Sequence, residues 1–236
     1  MYTYETRLGI SQTDKNGFQT IVSTVDMLQD CTQFWMESEP DFAAYLQDNN
    51  IIMILTFRQL DILRPAQYGE HLTVKTAIYR CKSYFGYRNT ALYGNDGLPC
   101  AQSWCQGAFF SLDSGRAVNL PDAIAQAITY DEKLDMEYLP HRIRLSNEHF
   151  RKLPAVVITP FDVDFNQHVN NARYVQKACE CFPEFSQYNR LRIEYRIPAK
   201  QDDVMIPHIC EADSKSYVKL CNEQEQPYCI IEFSNR

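Results

Sequence analysis

The sequence predicts an α+β protein built from two copies of one plan, a helix followed by a meander of antiparallel strands. Three observations predict it. Two stretches with helical spacing, residues 20–37 and 170–181, each precede a series of short strand-like runs. Turn residues separate those runs, and with only 8 Gly the chain lacks the glycine turns of a doubly wound nucleotide fold. The two halves also match in sequence at corresponding places.

The first half opens on an alternating segment, residues 2–8, which reads as a strand. Asp14-Lys15-Asn16-Gly17 is a turn signal. Ile21, Val25, Leu28, Cys31, Thr32 and Trp35 then recur at three and four, one face of a helix. Strand-like runs follow at 51–63, 71–80, 84–93 and 101–112. They are broken by residues 65–69, by Gly94-Asn95-Asp96-Gly97 and by Asp113-Ser114-Gly115. The second half repeats the order in shorter form. It has a strand at 156–158, a turn at 162–166, a helix at 170–181 stopped near Pro183, and strands at 191–197, 204–212, 216–222 and 228–233.

Asp14-Lys15-Asn16-Gly17-Phe18 lines up with Asp164-Phe165-Asn166-Gln167-His168. Leu60-Asp61-Ile62-Leu63-Arg64-Pro65-Ala66 lines up with Ile193-Glu194-Tyr195-Arg196-Ile197-Pro198-Ala199. The layout is that of a tandem, or double, hotdog: two curled antiparallel sheets, each wrapping a long helix. A lone sheet of this size has an exposed edge and face, and a second copy hides both. The expected division is an N-terminal domain over 1–125, a polar linker over 126–151 and a C-terminal domain over 152–236.

The chain has 236 residues, 45% of them apolar, with 15 Tyr and 13 Phe, which is enough for a large aromatic core. Its net charge of −7 shows no basic footprint for nucleic acid. An anionic partner would need a local basic patch. His141-Arg142-Ile143-Arg144 with Arg151-Lys152 is one candidate, and a solvated linker explains the same residues. The nine Cys are irregularly spaced without a Cys-x-x-Cys, and read as reduced thiols of a cytoplasmic protein. No apolar run approaches the ~20 residues of a membrane span, and the N-terminus lacks the features of a signal peptide.

The richest segment is Asp162-Val163-Asp164-Phe165-Asn166-Gln167-His168-Val169-Asn170-Asn171-Ala172-Arg173-Tyr174. Asp164, Asn166 and His168 sit at alternate positions just before a helix and can converge on one side of a turn. An imidazole can handle a proton, and a carboxylate can orient it. An amide can hold a carbonyl, and the N–H groups entering the helix near Val169 and Asn170 can hold an oxyanion. Such a set suits attack by water on a carbonyl. The same residue types also cap helices and form turns. No Gly-x-Ser-x-Gly elbow, Gly-rich phosphate loop or His-Glu-x-x-His helix occurs. A Cys paired with His168 is the other nucleophile to weigh, but Cys179 and Cys181 lie in the helix expected at the core. No metal or cofactor is expected.

The run from Asp164 to Tyr174 resembles the Asp-x-Asn-Gln-His-Val-Asn-Asn-x-Lys-Tyr signature of acyl-acyl carrier protein thioesterases, a family of plant plastid enzymes and bacterial relatives. Ile193-Glu194-Tyr195-Arg196, Phe85-Gly86-Tyr87-Arg88-Asn89 and the segment 117–123 support it. The resemblance covers essentially the whole chain, lies nearer the bacterial members, and implies a tandem hotdog. It also implies hydrolysis of the thioester of long acyl chains on acyl carrier protein, with Asp164, Asn166 and His168 in the catalytic roles. One departure stands out. Where plant members carry a catalytic Glu followed by Cys, this chain has Pro198 and Ala199, and Glu194 lies about 13 Å earlier at strand rise. Phe18 stands where His168 does, so one active site per chain is expected. The first half would then hold the fatty acyl chain, with Met27, Leu28, Phe34 and Trp35 as walls, in a monomer or homodimer. A coenzyme A thioesterase and a non-catalytic acyl-binding hotdog are the alternatives.

Overall fold

The computed structural model describes residues 1–145, 149–212 and 214–236, which divide into two compact units, Met1–Leu139 and Pro140–Arg236. The first unit contains β1 (Tyr2–Arg7), α1 (Ile21–Trp35), α2 (Pro40–Asp48), β2 (Ile51–Ile62), β3 (His71–Lys82), β4 (Phe85–Tyr93), β5 (Pro99–Ser111), β6 (Arg116–Ala117) and α3 (Asp122–Ala127). Its sheet runs β1-β3-β4-β5-β2, antiparallel throughout, with β6 beside β5.

Thr20 caps α1, its hydroxyl accepting the Ser23 N–H at 3.1 Å. Val25, Leu28, Cys31 and Trp35 form the buried face, which lies against β3 with β1 and β4 alongside. The helix α2 was not expected from the sequence. Proline at its first position and buried Phe42 and Leu46 four apart are the signals that mark it. Its apolar side packs into a core of Trp35, Ile51, Ile78 and Phe109.

The second unit contains β7 (Arg151–Lys152), β8 (Val156–Val157), α4 (Asn171–Cys181), β9 (Arg190–Tyr195), β10 (Val204–Ala212), β11 (Lys215–Cys221) and β12 (Pro227–Ser234). Its antiparallel sheet runs β9-β12-β11-β10-β7, and β8 also pairs with β10. Asn170 caps α4 by accepting the Ala172 N–H at 2.9 Å, and the helix lies against β11 and β12. Alternation along β9 turns Tyr195 toward Tyr174 of α4, ring centroids 5.8 Å apart. Arg192 and Glu194 face the opposite side.

The segment expected as a linker is divided between the units, and its residues 146–148 lie outside the described residues. In the first unit, Asp131 N–H donates to Ile78 O at 3.0 Å. Gln59 donates to Glu137 O at 2.8 Å and accepts the Leu139 N–H at 3.1 Å. In the second, Arg192 donates to Pro140 O at 2.7 Å, and Ile143 N–H donates to Glu194 at 2.9 Å. A polar, charged composition hid these attachments because each depends on a strand residue remote in sequence. None of the nine cysteines is in a disulfide. Among the described residues no helix is long and apolar enough to cross a membrane.

Candidate active site

The segment before α4 folds as a tight turn. Val163 and Val169 bridge its ends. Asp164 N–H donates to His168 O and Gln167 N–H to Asp164 O, both at 3.0 Å. The Asp164 carboxylate accepts the Asn166 N–H at 2.9 Å, an Asx turn that an acidic residue makes with its own backbone. Gln167 completes the reversal at φ 62°. This hydrogen bonding leaves Asn166 exposed and His168 half-buried. Among the described residues, neither the Asn166 carboxamide nor the His168 ring has a hydrogen-bond partner. The structure therefore brings Asp164, Asn166 and His168 onto one turn. No hydrogen bond joins the Asp164 carboxylate to the imidazole; Asp164 shapes the backbone between them.

Two further groups fix this turn. Asp162 is buried and accepts the Thr159 N–H and hydroxyl at 2.9 and 2.7 Å, with Lys177 at 3.1 Å. Burial pushes its carboxyl up, but Thr159 and Lys177 outweigh that and hold it below the usual range. It is a structural anion. Ala199 is held at both ends of its backbone, its N–H donating to the buried Tyr174 hydroxyl at 2.8 Å and its carbonyl accepting the Val169 N–H at 2.8 Å. The role of Tyr174 is not legible in the sequence, because its partner Ala199 lies 25 residues on, past the end of β9.

One expectation is corrected. The N–H groups of Val169 and Asn170, expected to hold an oxyanion, are already used. Val169 donates to Ala199 O, and Asn170 donates to Asp162 O at 2.9 Å. Among the amides from His168 to Ala172, at the entry to α4, those without an acceptor among the described residues are His168 and Asn171. Glu194, the nearest carboxylate along β9, faces away from the turn and is engaged by Ile143 N–H and Arg196.

The cysteines offer no activated thiol here. Burial pushes the Cys181 thiol up to about 11 and the Cys179 thiol higher still. One group in the described residues, His208, Cys221 and Glu225, brings three metal-ligand types within 4.8 Å, but Glu225 is paired with Lys152 at 2.5 Å and His208 at 2.9 Å. In the first unit Met27, Leu28 and Trp35 are buried and Phe34 half-buried. Seven-residue spacing puts Leu28 with Trp35 and Met27 with Phe34 on adjacent stripes of α1. Phe34 meets Tyr4 edge-on at 5.2 Å, and the buried Arg88 guanidinium lies 4.0 Å over the Trp35 ring.

The chain resembles solved structures along nearly its whole length. An acyl-ACP thioesterase from Bacteroides thetaiotaomicron superposes with a TM-score of 0.88 at 21% identity, covering 98% of this chain and 96% of that one. A 12:0-ACP thioesterase from Umbellularia californica superposes with a TM-score of 0.82 at 15% identity, covering 100% and 98%. At such identities the likeness shows the fold, an α+β hotdog-like one. No curated protein matches the chain. The model of the acyl-ACP thioesterase N-terminal domain matches residues 1–128, and that of the C-terminal domain matches residues 146–231. With both domains of one family laid end to end along it, the chain belongs to the acyl-ACP thioesterases and hydrolyses acyl-ACP thioesters.

Proposed function

We propose that a water molecule, activated at His168, attacks the thioester carbonyl directly. The observation that carries this is a pair of side chains on one turn without partners among the described residues, the Asn166 carboxamide and the His168 imidazole. Asn166 orients the carbonyl or the water. His168 takes the proton as the water oxygen bonds to the carbonyl carbon. The developing oxyanion is met by the free N–H of His168 or Asn171, in place of the two amides that the fold consumes. Collapse breaks the C–S bond, and the departing thiolate takes the proton back, leaving a fatty acid and the carrier thiol. Asp164 acts as a positioning residue through the Asx turn. Pro198-Ala199 offers no base or thiol, and Ala199 serves as a backbone clamp.

On this reading the C-terminal domain is catalytic and the N-terminal domain holds a long acyl chain along α1, beside Met27, Leu28, Phe34 and Trp35. Each sheet curls around its helix, and the enzyme works in the cytoplasm without a cofactor. The contacts of α1 with β1, β3 and β4 support a sheet that wraps.

The test is turnover of an acyl-ACP by single variants of normal fold. His168→Ala should lose about 10²–10⁴ in rate and Asn166→Ala about 10²–10³. Cys179→Ser and Cys181→Ser should keep wild-type turnover. Mass spectrometry of the protein quenched during turnover should find no added acyl group. A trapped acyl-enzyme, or full activity in His168→Ala, would show the assignment to be wrong.

A further inference from the structure

The second unit carries a basic groove that the chemistry of the turn does not use. Its volume is about 690 Å³, and its walls include Arg142, Arg144, Arg196 and Lys219 against one carboxylate, Glu225. For a chain of net charge −7, four cations at one groove are a local reversal of sign.

The local structure explains the concentration. The Ile143 side chain is buried against Cys210, Tyr217 and Ile230, with Leu145 packed alongside, and its N–H is tied to Glu194. With Ile143 buried and Leu145 packed beside it, the neighbouring Arg142 and Arg144 stay at the surface, and both are exposed. Neither has an ion-pair partner among the described residues. Lys219 sits 3.8 Å over the Phe150 ring and pairs with no carboxylate there. Glu225 bonds Lys152 and His208 with its two oxygens and offsets part of the Lys219 charge, which leaves Arg142 and Arg144 as the cations it does not reach by an ion pair. Arg196 pairs with Glu194 and stands three residues before Ala199, whose carbonyl holds Val169 beside His168.

We infer that this groove docks the carrier protein through its anionic surface, with Arg142 and Arg144 as the free charges, Lys219 beside them, and Ile143 and Ile230 as an apolar floor. Charge complementarity selects this occupant. Uncompensated cations around a floor of apolar side chains suit an anionic protein face, and steering by such charges acts on encounter more than on chemistry. The inference rests on acyl-ACP being the substrate, and none of these side chains belongs to the catalytic turn.

The experiment uses the full chain with Arg142→Glu/Arg144→Glu, and the milder Arg142→Ala/Arg144→Ala should the reversal disturb folding. Palmitoyl-loaded acyl carrier protein is compared with the carrier-free S-palmitoyl-N-acetylcysteamine and with palmitoyl-CoA. The expected result is a KM for the carrier substrate raised on the order of tenfold with kcat unchanged. The dependence of KM on salt should flatten, and the carrier-free thioester should be handled as by wild type. Direct binding of the loaded carrier, followed by fluorescence anisotropy, should weaken in parallel. This readout stands even if wild type releases no acid, an outcome that would overturn the hydrolase reading and not the docking site. Unchanged carrier binding and KM would overturn the inference. An equal rise in KM for palmitoyl-CoA would do so too, because the groove would then read phosphate and not protein.

Discussion

The turn at residues 14–18 and the turn at 164–168 are the same piece of backbone with different consequences. In both, the Asp N–H donates to a carbonyl four residues on, at 2.7 and 3.0 Å, and a residue at positive φ donates back to the Asp carbonyl. In both, the next N–H reaches a buried alanine carbonyl, Gln19 to Ala66 and Val169 to Ala199, each at 2.8 Å. The difference lies one residue earlier. Asp14 accepts from both Asn16 and Phe18, while Asp164 accepts from Asn166 alone, which leaves the His168 N–H free. The fold therefore supplies the turn twice and opens it once, at the copy that carries the imidazole. A repeat of this kind separates what a structural turn needs from what a reactive one adds.

The attachment of the central polar segment extends the comparison and should show the largest effect on stability. In the first unit a neutral group holds it. Gln59, cross-strand from Trp104, accepts the indole N–H at 2.9 Å and binds Glu137 and Leu139. In the second, Arg192 stands cross-strand from Glu232, bonded at 3.0 and 2.8 Å, and binds Pro140. Arg192→Ala leaves the buried Glu232 carboxylate with Lys215 alone, at 3.2 Å, and should cost about 3 kcal/mol, read as faster hydrogen exchange in the second unit. The pair also sets an acid response. Burial pushes Glu232 up, but Arg192 and Lys215 outweigh it and hold it below the usual carboxylate range. A carboxyl depressed on folding stabilises above its unfolded value, and that contribution is lost as pH falls through the folded one. Denaturant midpoints should therefore drop for the second unit below about pH 4, while the Gln59 attachment, whose amide holds two backbone groups and meets the Asp61 carboxylate only at 3.3 Å, should respond less. Equal acid sensitivity at both attachments would break the comparison.

Tyr174→Phe should have a middling effect. It strands the Ala199 N–H in a buried site, at about 1–3 kcal/mol. If Ala199 positions the turn through Val169, turnover should fall as well, without a change in the pH profile. Full activity with lost stability would reduce Tyr174 to packing.

The smallest effect should come from the left-handed position of each turn, Gly17 at φ 80° and Gln167 at φ 62°. Gln167→Gly relieves a side chain held in a strained region and should stabilise by about 0.5–1 kcal/mol, whereas Gly17→Gln should cost about 1–2 kcal/mol. Thermal melts of the two variants should move in opposite directions. Movement in the same direction would mean that the turns are not equivalent.

What the sequence by itself determined is local. Residues 20–37 and 170–181 predicted the helices because spacing, caps and the following turns act within a few residues, and the structure has α1 at Ile21–Trp35 and α4 at Asn171–Cys181. The pairing of the two Asp-x-Asn turns was legible for the same reason, since each is closed by hydrogen bonds across five residues. So was Asp164-Asn166-His168 as a group, because adjacent residues share a turn whatever the rest of the chain does. The short helix α2 escaped because its two buried residues, Phe42 and Leu46, make too brief a pattern until the core that receives them is known. Only the tertiary structure decided which amides remain free. Val169 and Asn170 lie at a helix start and look available, but the acceptor of Val169 comes from thirty residues downstream at Ala199. Tyr174, Glu194 and the divided central segment were decided the same way. Their roles depend on which face of a strand meets which distant partner, and a linear sequence carries the alternation of faces without the partner across from them.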